Sequence, residues 1–387
     1  MSLQNKFLAV RDDMRACLLE REQTIDNALL ALLTGEHHIQ FGAPGTGKSL
    51  LVRALCARID GAAYFEKAMS PVTTPEDLYG PIDLIRLADH GEYVRRDTGS
   101  MTRADIVFLD EITRSNEAIR DTLLVAMNER LQQVVGFAPQ ALPLLSLFSA
   151  ANHAFDDTSE AFSSRFLLRE MVTPLQDQTN FRRLFMGKLP DWRQVNASVT
   201  LDELRHAQAE VLTVKGTGEV LQAVEALKET LSAEGVAVND RTWGQCGKLL
   251  KARAWLDGLP AMDLEGISAL AHALWTDPTQ RKAVQRAVYA VSTPLTLRAI
   301  EIEDKATELY NKLPKADSGN FGNEVFNTAP QLRDMRFALE QEIAASAARD
   351  KTAALASLQR VIAKHEAVVM QCDKVTRGTH DPRALRD

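Results

Sequence analysis

The chain has 387 residues, more than twice the roughly 150 of an average domain, so more than one compact unit is expected. Hydrophobic residues make up 45% and charged residues 25%, with 20 Gly and 14 Pro, a globular composition that excludes disordered and collagen-like chains. The 45 Lys and Arg against 52 Asp and Glu give a net charge of −7, which excludes a global positive field for a nucleic-acid backbone and leaves only local basic surfaces.

The cysteines, Cys17, Cys56, Cys246 and Cys372, stand far apart and form no C-x-x-C, so reduced thiols in a cytoplasmic protein are expected. Arg11, Asp12, Asp13, Arg15, Glu20, Arg21 and Glu22 interrupt any apolar core of a signal peptide. Residues 134–151 lack charge, but Gly136, Pro139 and Pro143 break them into a loop and a short strand, so no membrane span is expected.

Residues 3–34 read as one helix, carried by Leu18, Leu19, Ile25, Leu29, Leu32 and Leu33 and stopped by Gly35. Residues 37–41 read as a strand, 42–47 as a glycine-rich turn and 48–59 as a helix. Further strands are predicted at 62–67, 105–109 and 144–150. Apolar runs separated by helical sequence imply an α/β class, a parallel sheet covered by helices. Between the second and third strands, residues 82–87 and 92–96 flank Ala88-Asp89-His90-Gly91, which predicts a β-hairpin insert over about 82–96. Beyond Pro174 the sequence turns helical and alanine-rich. The organisation read from it is an α/β core over 1–174, an all-helical domain over 175–312, a linker over 313–330 and a C-terminal helical hairpin extension over 331–387, where residues 349–352 interrupt the apolar repeat.

Gly42-Ala43-Pro44-Gly45-Thr46-Gly47-Lys48-Ser49 is a complete G-x-x-x-x-G-K-[ST] between a strand and a helix. Its glycines let backbone N–H groups close around phosphate oxygens, and the helix N-terminus, continuing through Leu50, adds a favourable dipole. Lys48 reaches the terminal phosphates and Ser49 ligates Mg2+, so ATP and Mg2+ are the expected ligands. The run from Ile106 to Leu109 ends in Asp110-Glu111, and acids at a buried strand end need compensating charge. Asp110 fits the magnesium shell, and Glu111 fits a general base that polarises the attacking water. The eight histidines, His37-His38 among them, lack metal-ligand spacing and read as surface or packing residues.

These motifs, with the strand ending Ser149-Ala150-Ala151-Asn152, resemble the AAA+ ATPases. Tyr79-Gly80-Pro81, Leu109-Asp110-Glu111-Ile112 and Asn128-Glu129-Arg130 narrow the likeness to the MoxR family, especially its RavA-type branch. The resemblance implies further roles. Asn152 matches sensor 1, which orients the lytic water. Arg165 in Ser163-Ser164-Arg165-Phe166 matches the arginine finger that reaches a neighbour's nucleotide, with Arg169 in reserve because Ser164 replaces the usual acid. Arg241 matches sensor 2, projected from the lid onto the nucleotide, although Asn239 and Asp240 also read as a helix cap. The insert corresponds to a helix-2 insert whose Arg86, Arg95 and Arg96 could touch a substrate. The family implies an ATP-hydrolysing hexameric ring, a chaperone-like remodeller of protein clients, partnered by a von Willebrand factor A domain protein. A DNA-dependent AAA+ motor, a chelatase-like motor subunit for metal insertion and a nucleotide-gated scaffold are the alternative readings.

Overall fold

The computed structural model describes residues 2–92, 94–133, 139–155, 160–314, 318, 320–349 and 351–376. Parts of the uncharged 134–151 stretch, the insert, the 313–330 segment, the 349–352 break and the C-terminal tail from 377 onward lie outside the described residues. The chain divides into two compact units, one built from residues 1–174 and 189–288, the other from 175–188 and 289–387.

The first unit is organised on a five-stranded parallel sheet of β1 (His37–Phe41), β2 (Tyr64–Ala68), β3 (Ile106–Asp110), β4 (Ser146–Ala151) and β5 (Phe166–Met171), in the order β2-β3-β4-β1-β5. All four pairings are parallel, and β1 lies between β4 and β5 with Ile39 opposite Ser149 and Arg169. Burial on both faces explains why β1 and the first four residues of β3 are closed to solvent along their length. The strand β5 is absent from the sequence reading because Arg169-Glu170 interrupts its apolar run, yet both charged residues are buried within it.

The predicted N-terminal helix is two, α1 (Leu3–Cys17) and α2 (Glu22–Thr34). No Gly or Pro marks the break. The chain turns at Glu20, which takes a positive φ of 55°. Gly35 ends α2 in the left-handed conformation as the sequence requires. α3 (Lys48–Cys56) follows β1 through the glycine-rich turn.

The described residues of 82–96 do not form the expected β-hairpin. Leu84–His90 is a short helix, α4, joined at its base by a single antiparallel bridge between Ile82 and Arg95. The Asp83 side chain caps it by accepting from the Ile85 and Arg86 amides, and Gly91 closes it at φ 64°. Gly91 does adopt positive φ, as a helix C-cap rather than a hairpin turn. At the base of the insert Gly80 takes φ 85°, and a Cβ there would stand 2.1 Å from the Arg96 carbonyl oxygen. α5 (Glu117–Glu129) follows further along the chain and buries Ile119, Leu123, Ala126 and Met127.

The remaining helices in this unit are α6 (Leu201–Thr213), α7 (Gly218–Ala233) and α8 (Asp240–Leu256), followed by a 3-10 segment, Glu265–His272. Thr200 and Glu203 form a reciprocal capping box at α6.

The second unit packs α9 (Pro294–Asn311), α10 (Phe321–Ala345) and α11 (Thr352–Thr376) around one core that includes Ala299, Ile302, Val325, Leu332, Leu339 and Val361. Residues 294–311 therefore belong with the C-terminal helices and not, as the sequence suggests, with the all-helical domain. The linker boundary moves too, because helix α10 begins at Phe321 and carries Pro330 in its interior. Phe321, Val325, Thr328 and Leu332 recur at spacings of 4, 3 and 4 on its buried face, and that burial offsets the amide Pro330 lacks. Helices α10 and α11 are the expected hairpin.

Candidate nucleotide site

The functional residues gather at the C-terminal ends of β1, β3 and β4, where open α/β sheets hold ligands. The turn after β1 starts at Gly42, whose amide donates to the Ala151 carbonyl at 3.0 Å, tying the loop to the end of β4. A Cβ on Gly42 would lie 2.2 Å from the Val172 carbonyl oxygen, so only glycine fits there. Gly45 and Gly47 take φ of 79° and 85°, which turns the loop over the N-terminus of α3.

Lys48 opens α3 and is only 8% exposed. Its ammonium donates to the Gly42 carbonyl at 2.6 Å, the Ala43 carbonyl at 2.9 Å and Asn152 Oδ1 at 3.4 Å. Burial lowers its pKa, while the charges of Asp110 and Glu111 oppose that shift. Asp110, half-buried at the end of β3, accepts the Glu111 amide at 2.9 Å, and burial raises its pKa despite Lys48. Glu111 adopts φ 51° and is gripped from two sides, by Arg114 Nη1 at 2.5 Å and by Asn152 Nδ2 at 3.4 Å. Asn152 thus spans the loop lysine and the second acid with opposite ends of one amide.

This donor set fits a magnesium nucleotide. A cation on a helix N-terminus, a glycine turn with positive φ at two positions, and an incompletely compensated carboxylate at a strand end suit phosphate oxygens and a divalent cation. Lys48 and the loop from Gly42 to Gly47 would hold the phosphates, and Ser49 and Asp110 the metal.

Arg165, Arg169 and Arg241 lie elsewhere. Arg169 is buried within β5, donating to the Ala273 and Ser163 carbonyls at 3.1 Å each, with its pKa drawn down to about 10 by burial. A guanidinium spent on its own core cannot reach another subunit, which removes it as the reserve finger. Arg165 precedes β5, is partly exposed and donates to Ser164 Oγ at 3.2 Å. Arg241 is exposed and donates to Asn128 Oδ1 at 2.6 Å. Burial and the charge of Arg241 together lower the Arg165 pKa, which sets the two arginines in one electrostatic neighbourhood.

That neighbourhood is the opposite end of the sheet from Lys48. Asn128 adjoins Met127, whose carbonyl lies 3.1 Å from His37 Nε2, and His37 is the first residue of β1. His37 Nδ1 accepts the Leu147 amide at 2.9 Å, and Arg130 Nη1 stands 2.7 Å from Nε2. Five residues of strand separate this end from the phosphate loop, about 15 Å. Arg241 therefore does not project onto the phosphate loop of its own chain, correcting the sensor 2 expectation: α8 enters at the strand N-termini, where Gln245 Nε2 bonds Glu36 at 2.6 Å. Arg130, left-handed at φ 55°, binds the Gly35 carbonyl at 2.5 Å and gives the Asn128-Glu129-Arg130 motif a structural role in the same corner.

In the insert, Arg95 turns inward to the Gly80 carbonyl at 2.7 Å, while Arg96, paired with Asp83 at 3.3 Å, and Arg86, paired with Glu92 at 3.8 Å, both stay exposed. Leu84 and Ile85 are 70% and 63% exposed. Sequence reasoning did not single out Arg21 or Arg114. Arg114, three residues after Glu111, was open to an i,i+3 argument; Arg21 had no local signal.

Among the described residues no group of His, Cys, Asp and Glu could hold a metal ion by itself, and no helix is long and apolar enough to cross a membrane. His37 and His38 are packing residues, closed to solvent in β1.

Residues 5–210, just over half the chain, match the family model described as the MoxR domain in the MoxR-vWA-beta-propeller ternary systems, and residues 219–288 match an AAA lid domain. The uncharacterized protein MJ0812 of Methanocaldococcus jannaschii is 30% identical over 307 residues, covering 79% of this chain and 81% of that protein. The chaperone MoxR1 of Mycobacterium tuberculosis is 26% identical over 125 residues, 32% of each chain. A candidate ATPase from Cytophaga hutchinsonii, at 19% identity, shares the fold with a TM-score of 0.61 over 75% of this chain and 95% of that one. The chain belongs to the MoxR family of AAA+ ATPases.

Proposed function

We propose that this protein hydrolyses ATP with Mg2+ in a ring of identical subunits and uses the cycle to remodel a protein client. The observation that carries this reading is the Lys48–Asn152–Glu111 chain beside Asp110. Bound Mg2+ supplies charge neutralisation between the terminal phosphates. Lys48 orients the phosphates, Asn152 holds Glu111 in register with them, and the Glu111 carboxylate takes the proton of the attacking water. Arg114 holds that carboxylate in place through its 2.5 Å contact.

Lys48 and the two arginines, Arg165 and Arg241, lie at opposite ends of a strand about 15 Å long. One chain cannot bring all three to one phosphate. Two adjacent copies can, with Arg165 and Arg241 of one subunit facing the loop of the next, and a closed ring repeats that contact. Arginine suits charge developing on phosphate oxygens. A hexamer is the closed ring the resemblance implies, and the free cysteines support a cytoplasmic setting.

The name of the matched family model supports a von Willebrand factor A domain partner and adds a beta-propeller protein as a third component. The RavA-type branch rests on the Tyr79-Gly80-Pro81 and Asn128-Glu129-Arg130 likeness. The exposed Leu84, Ile85 and Arg86 of α4 support client contact at the insert.

Purified protein with MgATP is the test. Lys48→Ala should lose ATP binding, and Glu111→Gln should bind ATP and release phosphate at under about 1% of the wild-type rate, in line with loss of a general base. Unchanged turnover in Glu111→Gln refutes the assignment of the base, and wild-type affinity in Lys48→Ala refutes the phosphate loop.

A further inference from the structure

Arg21 stands at the junction of α1 and α2, is 9% exposed and spends its guanidinium on main-chain carbonyls from three separate segments. Nη1 donates to the Glu20 carbonyl at 2.6 Å, within the junction itself. Nε and Nη2 both donate to the Thr46 carbonyl, at 3.3 and 3.0 Å, within the phosphate loop. Nη2 also donates to the Thr173 carbonyl at 2.8 Å, where the chain leaves β5 ahead of Pro174.

The Thr46 carbonyl belongs to the same planar peptide as the Gly47 N–H, and in a trans peptide the two point in opposite directions. An arginine gripping that oxygen therefore turns the Gly47 amide away from itself. Gly47 sits at φ 85° immediately before Lys48, and a glycine backbone turns freely enough for such a contact to set the direction of its amide. The fork of fixed N–H directions lets one side chain hold Thr46 and Thr173 together, which a lysine's single ammonium on a flexible stem does not reproduce.

We propose that Arg21 is a positioning residue that orients the Gly47 amide of the phosphate loop and ties that loop to the Thr173 exit of β5, so that a nucleotide held by the loop also orders the exit segment. The proposal rests on the nucleotide reading above and adds to it a route from the phosphate loop to the segment leaving the core.

The experiment uses the full chain and compares wild type, Arg21→Lys and Arg21→Ala, with thermal melting to confirm folding. ATP affinity is measured by calorimetry with Mg2+, turnover as KM and kcat, and amide exchange by mass spectrometry with and without the non-hydrolysable analogue AMPPNP. Arg21→Lys should raise the ATP Kd and KM about tenfold, the effect of losing one hydrogen bond to a charged group. Its kcat should stay within about threefold of wild type, because Glu111 and Asn152 are untouched. In wild type AMPPNP should slow exchange in peptides covering both 43–50 and 172–182; in Arg21→Lys at saturating AMPPNP only the 43–50 protection should remain. A merely structural arginine moves the melting temperature alone. Wild-type affinity in a folded Arg21→Lys, or undiminished protection of 172–182, overturns this proposal while leaving ATP binding intact. Wild-type protein that binds no ATP overturns both.

Discussion

Glu170→Gln makes the strongest quantitative demand on the buried polar layer behind the phosphate loop. Glu170 lies in β5, closed to solvent, with Oε2 accepting from Asn27 Nδ2 at 3.1 Å and 3.9 Å from His38 Nε2. Burial pushes its pKa up to about 7, against hydrogen bonds from Asn27 and Thr24 and the charges of Arg281 and Arg21. Its ordinary value is 4.5. Between pH 4.5 and 7 the unfolded chain has released a proton that the folded chain still holds, so stability falls as pH rises through that window and is flat above it. The span of ~2.5 pH units, at ~1.36 kcal/mol each, amounts to about 3 kcal/mol lost by pH 8. Gln keeps the acceptor for Asn27 and cannot ionise. Urea unfolding of both proteins should therefore show Glu170→Gln gaining about 3 kcal/mol on wild type between pH 4.5 and pH 8. His38 and His272, held neutral by burial with pKa values near 3 and 4, destabilise the fold in acid, but they are present in both proteins. A stability difference that is constant across that range refutes the reasoning.

Other outcomes follow from the same geometry. Arg165→Ala and Arg241→Ala should each bind ATP normally and hydrolyse it slowly, and either one mixed with Lys48→Ala should regain partial turnover, since one subunit then supplies the loop and the other the arginine; no recovery at any mixing ratio counts against action in trans. Gly42→Ala drives a methyl to 2.2 Å from the Val172 carbonyl oxygen and should cost about 3 kcal/mol, together with ATP affinity, read by calorimetry. Leu84→Asp on the exposed face of α4 should change stability by less than about 0.5 kcal/mol and leave basal ATPase intact. If that variant also leaves client-stimulated turnover unchanged, the insert's proposed client contact fails.

Much of the site was legible because its chemistry is local. Gly42 to Ser49 is contiguous, and a glycine turn between strand and helix has few other uses. Asp110-Glu111 stands out because two acids end an apolar run. The insert was misread for an instructive reason: Gly91 signals positive φ equally well in a hairpin and at a helix C-cap, and the Asp83 cap that decides between them lies eight residues earlier. The linker was misread because Gly, Asn and Pro330 are loop signals by composition, and only the buried face of α10 overrides them.

The chain by itself determined the α/β class and pointed to the phosphate loop and the second acid, since each depends on residues that are neighbours in sequence. Tertiary structure decided what joins distant segments. It broke the apparent N-terminal helix at Glu20, where no breaker stands, and placed Arg21 across Thr46 and Thr173, contacts 25 and 152 residues away. It buried Arg169 and Glu170 inside a strand their charges had hidden. It also set Arg241 with Arg165 at the strand N-termini, because a helix axis can run either way past a sheet, and only packing of α8 against Glu36 and Asn128 chooses the end.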